Sequence, residues 1–235
     1  KGGVGSKVLT MDNFYRGIKN YTIAENGMPD MESVDTIDIE LLNQCLREII
    51  SKGESYFPVF DFMEQRRLEE KEYVTLAEGD VLIMEGIHAL NPHITENIPS
   101  ENIFRMYVSV RTKFVDNGAD VLRPSDIRLI RRMVRDNLFR GYPPHETIAY
   151  WDVVLEGERV NINPYRDDVE FKMDTTIDYE VCTWNALLAD LLANIDLDEY
   201  TEYPAIARIV EGLPRFESLS PELIDKESII REFIG

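Results

Sequence analysis

The 235-residue sequence is poor in the side chains that build metal and disulfide sites, with only two cysteines and three histidines. Cys45 and Cys182 lie far apart and make no metal-ligand pattern, so a reduced, cytoplasmic setting with both thiols in the core is expected. His88, His93 and His145 show no ligand spacing with cysteine or with one another, which argues against zinc. A G-x-S-x-G elbow and a Cys/His nucleophile pair are both absent. No apolar run approaches the ~20 residues of a membrane span, there is no signal-peptide pattern, and no Gly/Ser- or Pro-rich tract suggests disorder. Basic residues are also scarce: 25 Lys and Arg stand against 44 Asp and Glu, for a formal net charge of −19. A nucleic-acid backbone is therefore not expected as a general partner, whereas small anions can bind where basic groups gather locally.

What remains is globular, 44% hydrophobic and 29% charged, enough to bury a sizeable core. Apolar runs at Val8 to Met11 and Val81 to Met84 end in Asp12 and Glu85, and a third runs from Met106 to Val110. Runs of this length bounded by charged or turn residues predict strands buried on both faces of a mainly parallel sheet. Between them, Ile39, Leu42, Leu46, Ile49 and Ile50 recur at helical spacing from Thr36 and stop at Lys52-Gly53. Ser125 can cap a second helix carrying Ile127, Ile130, Val134 and Leu138; Val181, Trp184, Leu187, Leu188, Leu191 and Leu192 mark a third. The alternation predicts an α/β layered domain over residues 1–195. Residues 196–235, broken by Pro204, Pro214 and Pro221, read as a C-terminal helical appendage.

In open α/β sheets, ligands bind at the carboxyl ends of the strands, where both Asp12 and Glu85 fall. A carboxylate there can take a proton from an attacking hydroxyl or hold Mg²⁺ directly or through water; it can also simply return the chain to water. Arg123, Arg128, Arg131, Arg132, Arg135 and Arg140 invert the local charge, and Arg128, Arg132 and Arg135 share one helical face. Guanidinium forks match phosphate oxygens; the alternative is a solvated face paired with nearby carboxylates. Arg140-Gly141 followed by Pro143-Pro144 forms a turn about which this segment could move as a lid. The aromatic-dense stretch from Tyr56 to Arg67 favours a buried strand and hairpin, with a stacking surface for a base or sugar as the alternative.

Taken in order, Met11-Asp12-Asn13-Phe14-Tyr15, Pro58-Val59-Phe60-Asp61-Phe62, Met84-Glu85-Gly86-Ile87 and Arg131-Arg132-Met133-Val134-Arg135-Asp136 resemble the uridine kinase/phosphoribulokinase family of P-loop kinases. The likeness spans about residues 7–195 and looks closest to the bacterial uridine kinase-like nucleoside kinases, whose lid continues much like Phe139-Arg140-Gly141-Tyr142, Glu146-Thr147-Ile148 and Trp151. The resemblance implies a three-layer P-loop NTPase-type α/β domain with an arginine-rich helical lid. It implies ATP or another NTP as co-substrate, Mg²⁺, and transfer of a phosphoryl group to a hydroxyl of a uridine-like nucleoside. By the same resemblance Asp12 deprotonates that hydroxyl, Tyr15 lines the sugar site, Asp30 holds the ribose hydroxyls, and Arg67 stands on the substrate side. Glu85 serves Mg²⁺, and Arg132, Arg135 and Arg140 meet phosphates.

Two departures qualify the likeness. Phe60 and Gln65 stand where members using uridine or cytidine commonly have Tyr and His, so a sugar phosphate or pantothenate-like alcohol stays open as acceptor. The Walker A pattern G-x-x-x-x-G-K-[ST] is missing: Gly2-Gly3-Val4-Gly5-Ser6-Lys7 fails its register and reads as a turn into a strand. The family's first strand, P-loop and first helix are expected upstream of Lys1, with the chain as given inactive without them and apolar sheet surface left open. A catalytically incompetent nucleotide- or partner-binding module is the alternative. The expected partner is a small nucleoside or related alcohol, with no nucleic acid and no membrane; a homo-oligomer stays open. Asp12, Glu85 and the arginine row from 128 to 140 are expected to converge on one cleft.

Overall fold

In the computed structural model, all residues are described except 1–2, 18–22, 24–26, 28–29, 31, 63 and 193–196. The chain runs through β1 (Ser6–Thr10), α1 (Ile39–Lys52), β2 (Glu54–Asp61), β3 (Arg66–Thr75), β4 (Val81–Glu85) and β5 (Met106–Ser109). It continues as β6 (Phe114–Asp116), β7 (Ala119–Leu122), α2 (Pro124–Arg135), α3 (Pro144–Ala149), α4 (Trp151–Asn161) and β8 (Phe171–Asp174), and ends with α5 (Glu180–Leu192), α6 (Pro204–Gly212) and α7 (Arg231–Ile234). These elements make two compact units, residues 1–107 with 153–171 and residues 108–152 with 172–235.

In the first unit, the two apolar runs that end in carboxylates lie side by side. β1 and β4 pair in parallel, from Ser6 opposite Val81 to Thr10 opposite Glu85. Asp38 caps α1, its Oδ1 accepting from the Leu41 N–H at 3.3 Å, and Gly53 ends the helix in the left-handed region at φ 75°. The helix therefore starts at Ile39 while Thr36 sits in a separate 3₁₀ turn, and Ile50 lies off the buried stripe, on the exposed side. β2 and β3 form an antiparallel hairpin, as the composition of the aromatic stretch favours. Phe57 points into a core with Leu9, Met11, Phe14, Leu42, Leu46, Ile49 and Val74, whereas Tyr56 faces outward.

The expected burial of the strands on both faces does not hold. Val8, Val81 and Ile83 are 59%, 50% and 48% exposed. Parallel strands ordinarily carry a layer on each face, and among the described residues nothing covers this one.

In the second unit, β6 and β7 form a short antiparallel hairpin, α2 packs against α5, α6 and α7, and Ile127, Ile130, Met133, Val134, Trp184, Leu188, Ile206 and Ile230 are buried. α2 begins one residue before Ser125, because the capping role falls to Arg123 and Asp126. The Asp126 carboxylate accepts from the Arg123 N–H at 2.9 Å and is gripped by both prongs of Arg208 at 2.9 and 2.8 Å. Past Arg135 the helix widens into a π turn, Asp136–Arg140, which rotates Leu138 off the apolar stripe and leaves it exposed. Pro204 and Pro221 occupy the first turns of α6 and of a 3₁₀ turn. A missing N–H costs nothing at that position, so these prolines start helical pieces and do not break them.

Candidate active site

The register of the first unit brings two acids to one edge. Because β1 and β4 are parallel and Thr10 faces Glu85, both strands end on the same side. The chain leaves β1 directly into a 3₁₀ turn, Met11–Phe14, where residues three apart eclipse. Met11 and Phe14 thus go inward, to 1% and 0% exposure, while Asp12 and Tyr15 stay half-buried, Tyr15 packing against the edge of the same core. Gly86, straight after β4, allows this packing: a Cβ there would fall 2.7 Å from the Met11 Cβ, and its φ of 154° disfavours other residues.

Asn13 ties this turn to the hairpin, its Oδ1 accepting from the Phe60 N–H at 3.1 Å. The rings of Tyr15, Phe60 and Phe62 then follow edge to face, at 5.7 Å and 5.2 Å between centroids. Asp12, Tyr15, Phe60 and Glu85 are the sequence-predicted residues that lie on or directly beside this strand edge. Asn13, missed in the sequence, lies between two of them.

The other substrate-side residues are engaged within the unit. Asp30 accepts from the Glu32 N–H at 3.0 Å. Gln65 sits in the turn between β2 and β3 with φ 52°, and its side-chain amide donates to the Phe62 carbonyl at 2.7 Å. Arg67 Nη2 lies 2.8 Å from Asp38, and Arg16 lies 3.6 Å from the same carboxylate. Asp38 therefore both caps α1 and draws two arginines together; its position just before the apolar period of Ile39 was the signal for it. A shallow groove of about 610 Å³ beside the first turns of α1 is lined by Asp38, Asn43, Arg47 and Glu96 but not by the strand-end acids.

His88, three residues beyond Glu85, is 1% exposed, and neither ring nitrogen makes a hydrogen bond. Burial pushes its pKa down from 6.5 to about 4; the Asp30 carboxylate and the Ser33 backbone oppose the shift without reaching bonding geometry. A folded-state value below the unfolded one means that the unfolded chain binds the extra proton, so stability is lost as pH falls through the interval from 6.5 to about 4. Between pH 7 and pH 5 this residue is expected to remove about 2 kcal/mol of stability. Urea unfolding of wild type and His88→Leu at both pH values checks it, since the variant lacks that component.

The arginines belong to the second unit, and they divide. Arg131 turns inward: its Nε and Nη2 meet the fully buried Glu180 at 2.7 and 2.9 Å, Nη2 also reaches the Thr175 carbonyl at 2.7 Å, and its guanidinium lies over the Phe233 ring. Arg128 lies over the Trp151 ring and Arg132 over Tyr150, each 5.8 Å from the centroid. Arg132, Arg135 and Arg140 all lie within salt-bridge distance of one carboxylate, Asp136. The sequence reading missed Asp136, although its spacing of four residues from both Arg132 and Arg140 is a helical pairing signal.

Among the described residues no group of three or more His, Cys, Asp or Glu is arranged to cage a metal. Mg²⁺ does not need one, being held by one or two carboxylates, waters and substrate phosphates. Asp12 and Glu85, hard oxygen donors at one strand edge, fit that requirement.

The chain combines strands and helices, with two acids at the carboxyl edge of its β1–β4 parallel pair, the side on which open α/β sheets bind their ligands. The sequence profile of the Phosphoribulokinase / Uridine kinase family matches residues 1–172, and the chain belongs to that family. It is 31% identical over 134 residues to a uridine kinase of Lactobacillus johnsonii, covering 57% of this chain and 55% of the relative. It is 32% identical over 136 residues to uridine-cytidine kinase 2-B of Danio rerio, covering 57% and 45%, and 31% identical over 150 residues to a uridine kinase of Deinococcus deserti, covering 64% of each. The chain thus spans between 45% and 64% of the length of these relatives. A solved structure described as a possible uridine kinase from Bacillus stearothermophilus superposes with a TM-score of 0.43 at 14% identity over 73% of each chain, too distant to carry an argument.

Proposed function

We propose that the protein is an ATP-dependent phosphotransferase acting on a hydroxyl of a small, nucleoside-like substrate in the cytoplasm. The observation that carries this reading is the pairing of Thr10 with Glu85, which puts Asp12 and Glu85 at one strand edge. Membership of a family whose similar members are named uridine kinases supports it.

In this reading Asp12 accepts the proton of the attacking hydroxyl. Tyr15 and Phe60 present ring surface to the sugar and base, Asp30 takes the ribose hydroxyls, and Gln65 and Arg67 border the acceptor. Glu85 holds Mg²⁺, which supplies neutralisation of phosphate charge when bound. Arg132, Arg135 and Arg140 receive the phosphate oxygens of the donor, since phosphoryl transfer is mostly positioning and charge stabilisation. The glycine-rich residues at 3–5 lead into β1 and do not open a helix, so they are not a phosphate cradle. No helix among the described residues is long and apolar enough to cross a membrane.

A second acceptor class follows from Phe60, which brings no hydroxyl, and from Gln65, whose amide is held by its own turn. The test is a panel of uridine, cytidine, a sugar phosphate and a pantothenate-like alcohol, each offered to the full-length protein with ATP and Mg²⁺ while ADP release is followed. A nucleoside turned over in preference to the others is the expected outcome. Preference for another alcohol moves the acceptor class, and acceptor-independent silence favours a binding module without catalysis.

A further inference from the structure

Asp30 sits in a turn that a distant helix grips. Its Oδ1 accepts from the N–H of Glu32, two residues on, at 3.0 Å, the bond by which an aspartate sets its own backbone turn. The Glu32 carbonyl in turn accepts from Asn161 Nδ2 at 3.0 Å, across 129 residues of chain. Both backbone polar groups of Glu32 are therefore taken, one by the Asp30 carboxylate and the other by the last residue of α4.

Gly157 lies four residues before Asn161 and so on the same face of α4. A Cβ there would fall 2.5 Å from the Glu32 Cβ and 3.0 Å from its Cγ, and the root of a side chain cannot swing aside as its tip can. Glycine inside a helix is ordinarily destabilising beside alanine; here the missing Cβ lets the helix close on Glu32. The far end of the same segment is tied to the turn that carries Asp12. The Arg16 N–H donates to the Thr36 carbonyl at 2.8 Å, the Asp38 N–H donates to the Phe14 carbonyl at 2.9 Å, and Tyr15 and Ile37 form an antiparallel bridge. The segment is thus anchored at both ends, at the Asp30 end by α4.

We propose that Asn161 is a positioning residue for the acceptor site, with Gly157 as its seat: together they fix Glu32 and so aim the Asp30 carboxylate at the hydroxyls of a ribose. A carboxylate already held in line loses less freedom when it meets its partner. It also favours a sugar that carries the hydroxyl over one that lacks it. The inference rests on the proposed function for the place of Asp30 beside the ribose, and deepens it by naming what holds that carboxylate.

Calorimetric titration of the full-length protein with uridine and with 2′,3′-dideoxyuridine, which lacks both hydroxyls, tests it, with a thermal melt of each variant alongside. Asn161→Ala is expected to bind uridine about fivefold more weakly, the worth of one hydrogen bond, and to bind dideoxyuridine as the wild type does. A merely structural role would weaken both nucleosides alike or neither, and either result overturns the proposal, as does a wild type that binds no uridine. Should that variant not fold, Gly157→Ala pushes Glu32 away while supplying the better helix former. It is expected to lose the preference for uridine by about the same factor, and an unchanged preference overturns the proposal. Uridine binding that depends on Asn161, in a full-length protein that transfers no phosphoryl group from ATP, would refute the kinase reading alone and leave the positioning role standing.

Discussion

Asp12→Asn in the full-length protein is expected to lower kcat by about 10² to 10⁴-fold, the range that a positioned general base contributes. The substitution keeps the size of the side chain and removes its ability to take a proton. It should leave the fold intact, because Met11 and Phe14 carry the packing of this turn while Asp12 stays half-buried. The backbone carbonyl of residue 12, which accepts from the Tyr15 N–H at 3.3 Å, is untouched. Initial rates of ADP formation with a nucleoside acceptor, together with a melting curve for each protein, separate chemistry from stability. Undiminished turnover in the variant would remove Asp12 from the mechanism.

Glu180→Ala is expected to destabilise the protein by about 3–5 kcal/mol, the cost of leaving a buried charge without its partner. Glu180 is fully buried and accepts four hydrogen bonds, two from Arg131, one from Trp184 Nε1 at 3.0 Å and one from the Ile177 N–H at 2.9 Å. Its removal strands the Arg131 guanidinium at the interface of α2 and α5, the helix pair that supports Arg132 and Arg135. The loss is a large share of the roughly 5–15 kcal/mol that holds a typical domain together. Replacing both partners with apolar residues, as in Arg131→Met with Glu180→Leu, should recover only part of it, because the stranded charge is gone but the Trp184 Nε1–H and the Ile177 N–H lose their acceptor. Urea unfolding midpoints at constant slope report both effects. A loss below about 1 kcal/mol in the single variant would mean that the pair is no stronger than a surface one.

The carboxylates at the strand ends were legible because two independent signals coincide there, an apolar run and the acid that stops it. The hairpin from β2 to β3 was legible from aromatic density, and α1 and α5 from their periods. What the sequence hid is mostly a matter of partners distant along the chain. Arg131 and Arg132 are adjacent and chemically identical, yet one is buried against Glu180, forty-nine residues away, and the other is drawn to Asp136. Nothing in a single helix could assign those fates, since they are set by which side of α2 the neighbouring helices cover.

The start of α2 was misplaced because serine is the commoner cap, while the carboxylate of Asp126, fixed by Arg208 eighty-two residues on, holds the Arg123 N–H. His88 was passed over because it lacked ligand spacing, although its interest lies in burial without a partner. Val8, Val81 and Ile83 divide two expectations: apolar runs predict cover on both faces, yet one face is open, in keeping with the apolar sheet surface expected to be left uncovered.

Phosphorus NMR of the full-length protein with uridine, ATP and Mg²⁺ tests the central claim most directly. A new phosphomonoester resonance, coupled to carbon-bound protons and growing only when acceptor is present, is the predicted spectrum. ATP converted to inorganic phosphate alone, or left intact beside every alcohol tried, would contradict the assignment of the Asp12 and Glu85 edge as the place where a hydroxyl is phosphorylated.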